Sequence, residues 1–213
     1  MRFLNNNSPF MAFLNKLVDY MSIGILWIIF CIPVFTCGAA TTAALLTVEI
    51  SIYKEEGRIL STFWTWFRKE FKEASLLWLI LVPIHLLVAT NIWITYVSKI
   101  PTVLQVLIYI ATSLVFCWTQ LWFGYLSKFE DPIKIVLKNT FRMSMVHVGR
   151  VLLLGILVVF YIAASVVLFL LIPPLLVFLP GSYLLGYISV VNKIFALYIP
   201  KEKQNLAESP VKS

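Results

Sequence analysis

The side chains of this sequence that could do chemistry are few, and most sit where a bilayer would surround them. His85 follows Pro83 by two residues inside Ala74 to Ser98, a 25-residue stretch without Asp, Glu, Lys or Arg. An ionisable ring in such a run is costly. It marks either a substrate or proton site or a neutral histidine hydrogen-bonded inside a helix bundle. Pro83 also frees a backbone carbonyl that an imidazole or a water could satisfy. Asn91, Gln105 and Gln120 lie in similar runs and offer interhelical hydrogen bonds or ligand contacts. With His85 they form the candidate intramembrane polar site. Glu49 stands near the inner end of a short apolar segment, where it reaches the interface or pairs with a basic residue.

Other chemistry has little to build on. Cys31, Cys37 and Cys117 are too few and wrongly spaced for a zinc site, and in apolar runs free thiols behave as small hydrophobes. His147 has no acidic neighbour in sequence to make a dyad. No zinc-protease helix, phosphate-cradling glycine loop or serine nucleophile motif occurs. The expectation is a protein without catalytic residues, metal or cofactor.

The elements that must position these residues can be read from composition. The 213-residue chain is 61% hydrophobic and 13% charged, with a mean hydropathy of +0.91. A soluble domain has about 45–50% apolar and about 25% charged residues. A soluble enzyme, a nucleic-acid module and a disordered regulator are thereby excluded as first readings, despite a net charge of +7. Four stretches carry no charge: Tyr20 to Val48, Ala74 to Ser98, Ile100 to Ser127 and Val151 to Asn192. A span needs about 20 residues. The fold class is therefore all-α, a polytopic transmembrane helix bundle forming a single domain. Its five full spans lie near 19–35, 75–97, 101–123, 150–172 and 181–199, with a shorter returning helix at 39–53 and a polar tail at 200–213. Pro173-Pro174 and Pro180-Gly181 signal the turn between the last two spans.

Basic residues set the orientation. With 39–53 returning across the membrane, both termini are cytoplasmic and 16 of the 17 Lys and Arg lie inside. Without the return the N-terminus lies outside and the tally is 14 to 3. Small residues from Gly38 to Ala44 favour the return, because they let neighbouring helices approach closely. Two amphipathic basic segments lie on the inner face, at 60–73 and 131–148. In the first, Leu60, Phe63, Trp64, Phe67 and Phe71 recur at helical spacing opposite Arg68, Lys69 and Lys72. In the second, Asp131-Pro132 supplies a helix start and Lys134, Lys138 and Arg142 share a face. Both suit contact with anionic headgroups or with a cytoplasmic partner.

Between the first two helices, Pro33 ends a helix, Gly38 permits a sharp turn, and the Thr36 hydroxyl can cap the returning helix. Such a break is either a tight turn at the outer surface or part of a pathway, since irregular backbone at membrane depth needs protein or a water-filled cavity around it. At Leu26-Trp27, Pro33-Val34-Phe35-Thr36, Gly38 through Ala43 and Phe63 through Ala74, the sequence resembles the YesL family of small bacterial integral membrane proteins. That family is a domain of unknown function often associated with carbohydrate uptake. The resemblance implies a setting, sugar import or its regulation in a bacterial plasma membrane, and brings no active site with it.

The expected function is a non-enzymatic accessory or regulatory component linked to carbohydrate uptake. Its partners would be the bilayer and a carbohydrate-uptake transporter or its regulator, with no nucleic acid. The alternative is a transporter subunit that itself forms the solute path. For that role His85, Asn91, Gln105 and Gln120 are a thin polar set, and neither cytoplasmic loop carries the Glu-Ala-Ala…Gly pattern of ATPase-coupled permeases. A reporter fused at Asn6 is expected to score as cytoplasmic, and an extracellular score would remove the returning helix.

Overall fold

The computed structural model describes residues 9–54, 57–98, 101–171 and 179–198. Pro173-Pro174 and the tail from 200 onward lie outside them. The described residues form α1 (Pro9–Cys31), a 3-10 turn (Val34–Thr36), α2 (Cys37–Thr47) prolonged by a π-helical turn (Val48–Tyr53), and α3 (Ile59–Val97). Then come α4 (Thr102–Thr119), α5 (Leu121–Leu126), α6 (Ile133–Val146), α7 (Val148–Leu171) and α8 (Leu179–Phe195). No strand occurs among them. The protein is an all-α helix bundle.

Five segments are long and apolar enough to cross a membrane: Leu14–Cys31, Val34–Tyr53, Ile59–Val97, Thr102–Leu126 and Val148–Leu171. The returning segment is thus one of the five, whereas α8, expected as a full span, has 17 residues. Pro180-Gly181, read as a turn, lies in the first helical turn of α8, where a proline lacks no needed donor.

The core is built around α2. Of the Val34–Tyr53 segment 61% is buried, against 11–17% of the other four, so this helix is surrounded by protein and the others are largely exposed. Ala39, Ala40, Ala43 and Ala44 are fully buried, as are Leu45 and Thr47. Their small side chains let α3 come close. A Cβ on Gly38 would collide with the carbonyl oxygen of Ala74 and would lie 2.8 Å from Trp78 Cβ. Gly38 is needed for this approach and not for a turn, since it sits inside α2 with no positive φ. Thr36 also acts differently from expectation. Its hydroxyl makes no cap to α2. It points back to the carbonyls of Phe30, at 2.5 Å, and Pro33, at 2.7 Å, closing the end of α1.

The segment at 60–73 is the first part of the 39-residue α3 and continues into the span without interruption. At about 1.5 Å per residue α3 is about 58 Å long, well beyond the hydrocarbon thickness of about 30 Å. Its aromatic face meets protein where lipid was expected. Phe63 and Phe67 are buried and pack on Phe30 at ring distances of 5.2 and 4.8 Å, while Leu60, Trp64 and Phe71 remain exposed. Nothing between Ile59 and Pro83 breaks a helix, and Pro83 itself is carried inside α3.

The boundary between α4 and α5 has an identifiable cause. In an unbroken helix the Gly124 N–H would donate to the Gln120 carbonyl. Here the Tyr187 hydroxyl of α8 stands between them, donating to Gln120 O and accepting from Gly124 N at 3.3 Å. A side chain inserted into the helical ladder bends it. Asp131 likewise leaves the expected capping role. Helix α6 starts after Pro132 with no side-chain cap, and Asp131 accepts the Tyr125 hydroxyl at 2.5 Å.

Gly38→Ala is expected to lower stability by about 1–3 kcal/mol through overpacking against backbone. Gly149→Ala, where a Cβ meets nothing within 4 Å, serves as the control. Thermal unfolding in micelles checks this, and equal midpoints for the two variants would refute the close-approach account.

Candidate functional site

Residues of α1, α2, α3, α4, α5, α7 and α8 line a half-open chamber of about 520 Å3. That volume lies within the range of about 300–1,000 Å3 usual for small-molecule sites. Trp27, Trp78, Phe116, Phe123, Tyr183 and Tyr187 contribute rings to its walls, and no Asp, Glu, Lys or Arg among the described residues lines it. Trp27 stacks on Tyr183 with centroids 5.8 Å apart and planes 16° from parallel. The Trp27 indole N–H donates to Thr41 Oγ1 at 3.0 Å, and the Thr41 hydroxyl donates to Cys37 O at 2.7 Å. Both polar groups of that pair are therefore committed within the protein.

Three groups offer unused hydrogen-bonding capacity. The Trp78 Nε1 is buried and has no partner. A buried indole donor left unpaired costs free energy unless something accepts from it. Gln120 gives its amide N–H to Phe116 O at 3.3 Å and keeps its amide oxygen uncommitted. His85 is the third. Its Nδ1 lies 3.1 Å from Leu81 O, and because a carbonyl can only accept, Nδ1 carries the proton. The other nitrogen, Nε2, is 3.5 Å from Thr119 Oγ1. The Thr119 hydroxyl already spends its single hydrogen on Phe116 O at 2.7 Å. In the neutral ring Nε2 is thus an acceptor without a donor.

Of the four sequence candidates the structure brings two together. His85 and Gln120 both line the chamber. Asn91 does not; it donates to Leu87 O on its own helix at 2.8 Å and is exposed. Gln105 stands in the first turn of α4 and lines no part of the chamber. Pro33, Thr36 and Gly38 of the break do not line it, although Cys31 and Cys37 on either side of Pro33 and Thr36 do. Trp78 and Thr119 were not legible as site residues. An indole in an apolar run reads as lipid-facing or core, and only the fold shows that its nitrogen lacks a partner.

The basic residues predicted for the inner face lie on the surface. Arg68 stacks over Trp64 at 4.9 Å, and Lys69 stacks over Trp66 at 4.6 Å while pairing with Glu130. Lys72, Lys134, Lys138 and Arg142 are exposed. Glu49, in the π-helical turn, pairs with Lys128, whose side chain is only 7% exposed. Burial pushes the Lys128 ammonium below its ordinary value, and the Glu49 carboxylate opposes that shift.

Residues 20–92 match the model of a family described as protein of unknown function, DUF624. This is consistent with the resemblance to the YesL family. The DUF624 stretch includes the break, α2 and most of α3, and so carries Trp27, Thr41, Trp78 and His85. The facing wall, with Gln120 and Tyr187, lies outside the matched residues. No curated protein and no solved structure matches the chain.

Removing the Glu49 carboxylate leaves a buried ammonium unpaired. Glu49→Gln is expected to cost about 3 kcal/mol, and Glu49→Gln with Lys128→Met to restore much of it. A double-mutant cycle on unfolding midpoints tests this, and additive losses would mean that the pair contributes nothing.

Proposed function

We propose that this is a non-enzymatic, multi-pass protein of a bacterial plasma membrane, an accessory or regulatory component of carbohydrate uptake whose chamber receives the molecule it responds to. The observation that carries this reading is the character of the chamber wall. Flat aromatic faces stand beside an amide oxygen and an imidazole acceptor, and no charged side chain among the described residues is in the lining. Uncharged hydroxyl-bearing rings suit such a wall, with their C–H faces on the aromatics and their hydroxyls on the few polar groups. The setting comes from the YesL resemblance. The cytoplasmic placement of both termini rests on the distribution of Lys and Arg. Exposed Arg68, Lys72, Lys134, Lys138 and Arg142 suit anionic headgroups or a cytoplasmic partner such as an uptake transporter or its regulator.

A second reading, in which the protein itself forms the solute path, is favoured by one observation. Cys31 and Cys37, the helical residues that flank the break, both line the chamber and so bring its two ends to the cavity. Liposomes holding the purified protein separate the two. The expected result is no sugar flux above protein-free liposomes, with a carbohydrate-uptake component co-purifying from the native membrane. Saturable sugar flux that disappears in His85→Ala would overturn the accessory role in favour of the path.

A further inference from the structure

His85 and Phe116 belong to two cavities at once. On one side they line the chamber, and on the other they line a groove of about 790 Å3 between α3, α4 and α7. Their rings meet edge to face with centroids 5.5 Å apart. The groove walls are apolar and open outward: Ile92, Ile156 and Phe160 are 45, 64 and 72% exposed. All three stand on segments long and apolar enough to cross a membrane. The medium against them is hydrocarbon, so a hydrocarbon chain is what such a groove can hold. Ala89 and Ser113 keep it open by contributing little side-chain volume.

The chamber asks for something different. Its open His85 acceptor and its uncommitted Gln120 amide oxygen select a hydroxyl-bearing group, and a wall with no Asp, Glu, Lys or Arg among the described residues offers no counter-charge to an ionised one. Gln120 lines only the chamber, whereas the groove's Thr112 and Ser113 hydroxyls are spent on carbonyls of their own helix, and two rings that both cavities share separate them. His85 is held to its own helix by the bond to Leu81 O, with Nε2 uncommitted in the neutral ring. Phe116 contributes no polar atom that would resist its displacement.

We propose that the His85–Phe116 pair is a lateral gate and that the chamber's ligand is an amphiphile dissolved in the bilayer, with an uncharged hydroxyl-bearing head in the chamber and a single hydrocarbon tail in the groove. This rests on the reading of the chamber as a ligand site and narrows its ligand. A neutral head passes the gate without the penalty of carrying charge through hydrocarbon. The tail leaves one apolar surrounding for another, so the head contacts decide selectivity.

The test uses the full chain in native lipid discs excised with a polymer, free of detergent. Decyl glucoside and decyl phosphate, each carrying a photoreactive diazirine in one form beside the head group and in another at the chain end, and glucose with the same group are the probes, with labelled residues mapped by peptide mass spectrometry. Decyl glucoside is expected to label both cavities, and decyl phosphate to leave the chamber unlabelled. Ala89→Phe, which fills an exposed part of the groove wall, is expected to cut chamber labelling by about tenfold. Ser113→Phe fills the same groove from α4 and is expected to act alike, so the result does not hang on one variant folding. Gln120→Leu is expected to weaken chamber labelling with the groove still labelled. If glucose labels the chamber as well as decyl glucoside does and neither groove variant changes this, the lateral route is overturned while the ligand site stands. If no probe labels the chamber, both fall. Equal labelling by decyl phosphate overturns the uncharged head.

Discussion

The close approach of α2 and α3 is the contact on which the rest of the bundle depends. In hydrocarbon there is little hydrophobic gain from bringing helices together, so association relies on backbone proximity and tight packing. Gly38 meets the Ala74 carbonyl, and four fully buried alanines continue the contact along α2. Because α2 is thin, α1, α5 and α8 can also gather around it. Bulky rings then close the periphery: Phe30 against Phe63 and Phe67, Trp27 against Tyr183, and Trp118 against Trp122. A larger residue at Gly38 would part the helices that hold both the chamber and the Glu49–Lys128 pair in place.

Polar groups in the spans are mostly satisfied at short range. Ser22, Thr90, Thr95, Thr112 and Ser165 each donate to a carbonyl four residues earlier on their own helix. Such bonds neutralise a hydroxyl without enlisting a neighbour and leave the outer surface compatible with lipid. Against that background the groups left open at the chamber stand out. His85 obeys the same local rule with one nitrogen and departs from it with the other. This division suits a neutral ring that is anchored to its helix yet available to a ligand.

Much of the architecture was legible in the sequence because bilayer crossing leaves a strong one-dimensional mark. Charge-free runs located α1, α3, α4 and α7, and the small-residue string from Gly38 onward marked the helix that others must approach. The features that escaped were governed by contacts between elements. The aromatic stripe of Phe63 and Phe67 has the same spacing whether it faces acyl chains or Phe30, so periodicity could not tell lipid from protein. Thr36 lies next to two helix ends, and its hydroxyl serves the one that sequence order made less obvious. Half of the polar set converged: His85 and Gln120 share a cavity because α3 and α4 run side by side there, whereas Asn91 turned to its own backbone. The boundary between α4 and α5 left no local trace, for its cause lies on another helix.

That boundary bears on the order in which the molecule takes shape. Chains fold from the N-terminus during synthesis. The Gln120 carbonyl and the Gly124 amide are made long before Tyr187, and while alone they can only bond to each other and continue the helix. The Tyr187 hydroxyl that replaces their bond belongs to the last described helix. The interruption is therefore set when α8 docks, and one side of the chamber acquires its final outline only with that docking. A ribosome-bound intermediate ending before α8 would hold a straight α4–α5 rod in place of the finished wall.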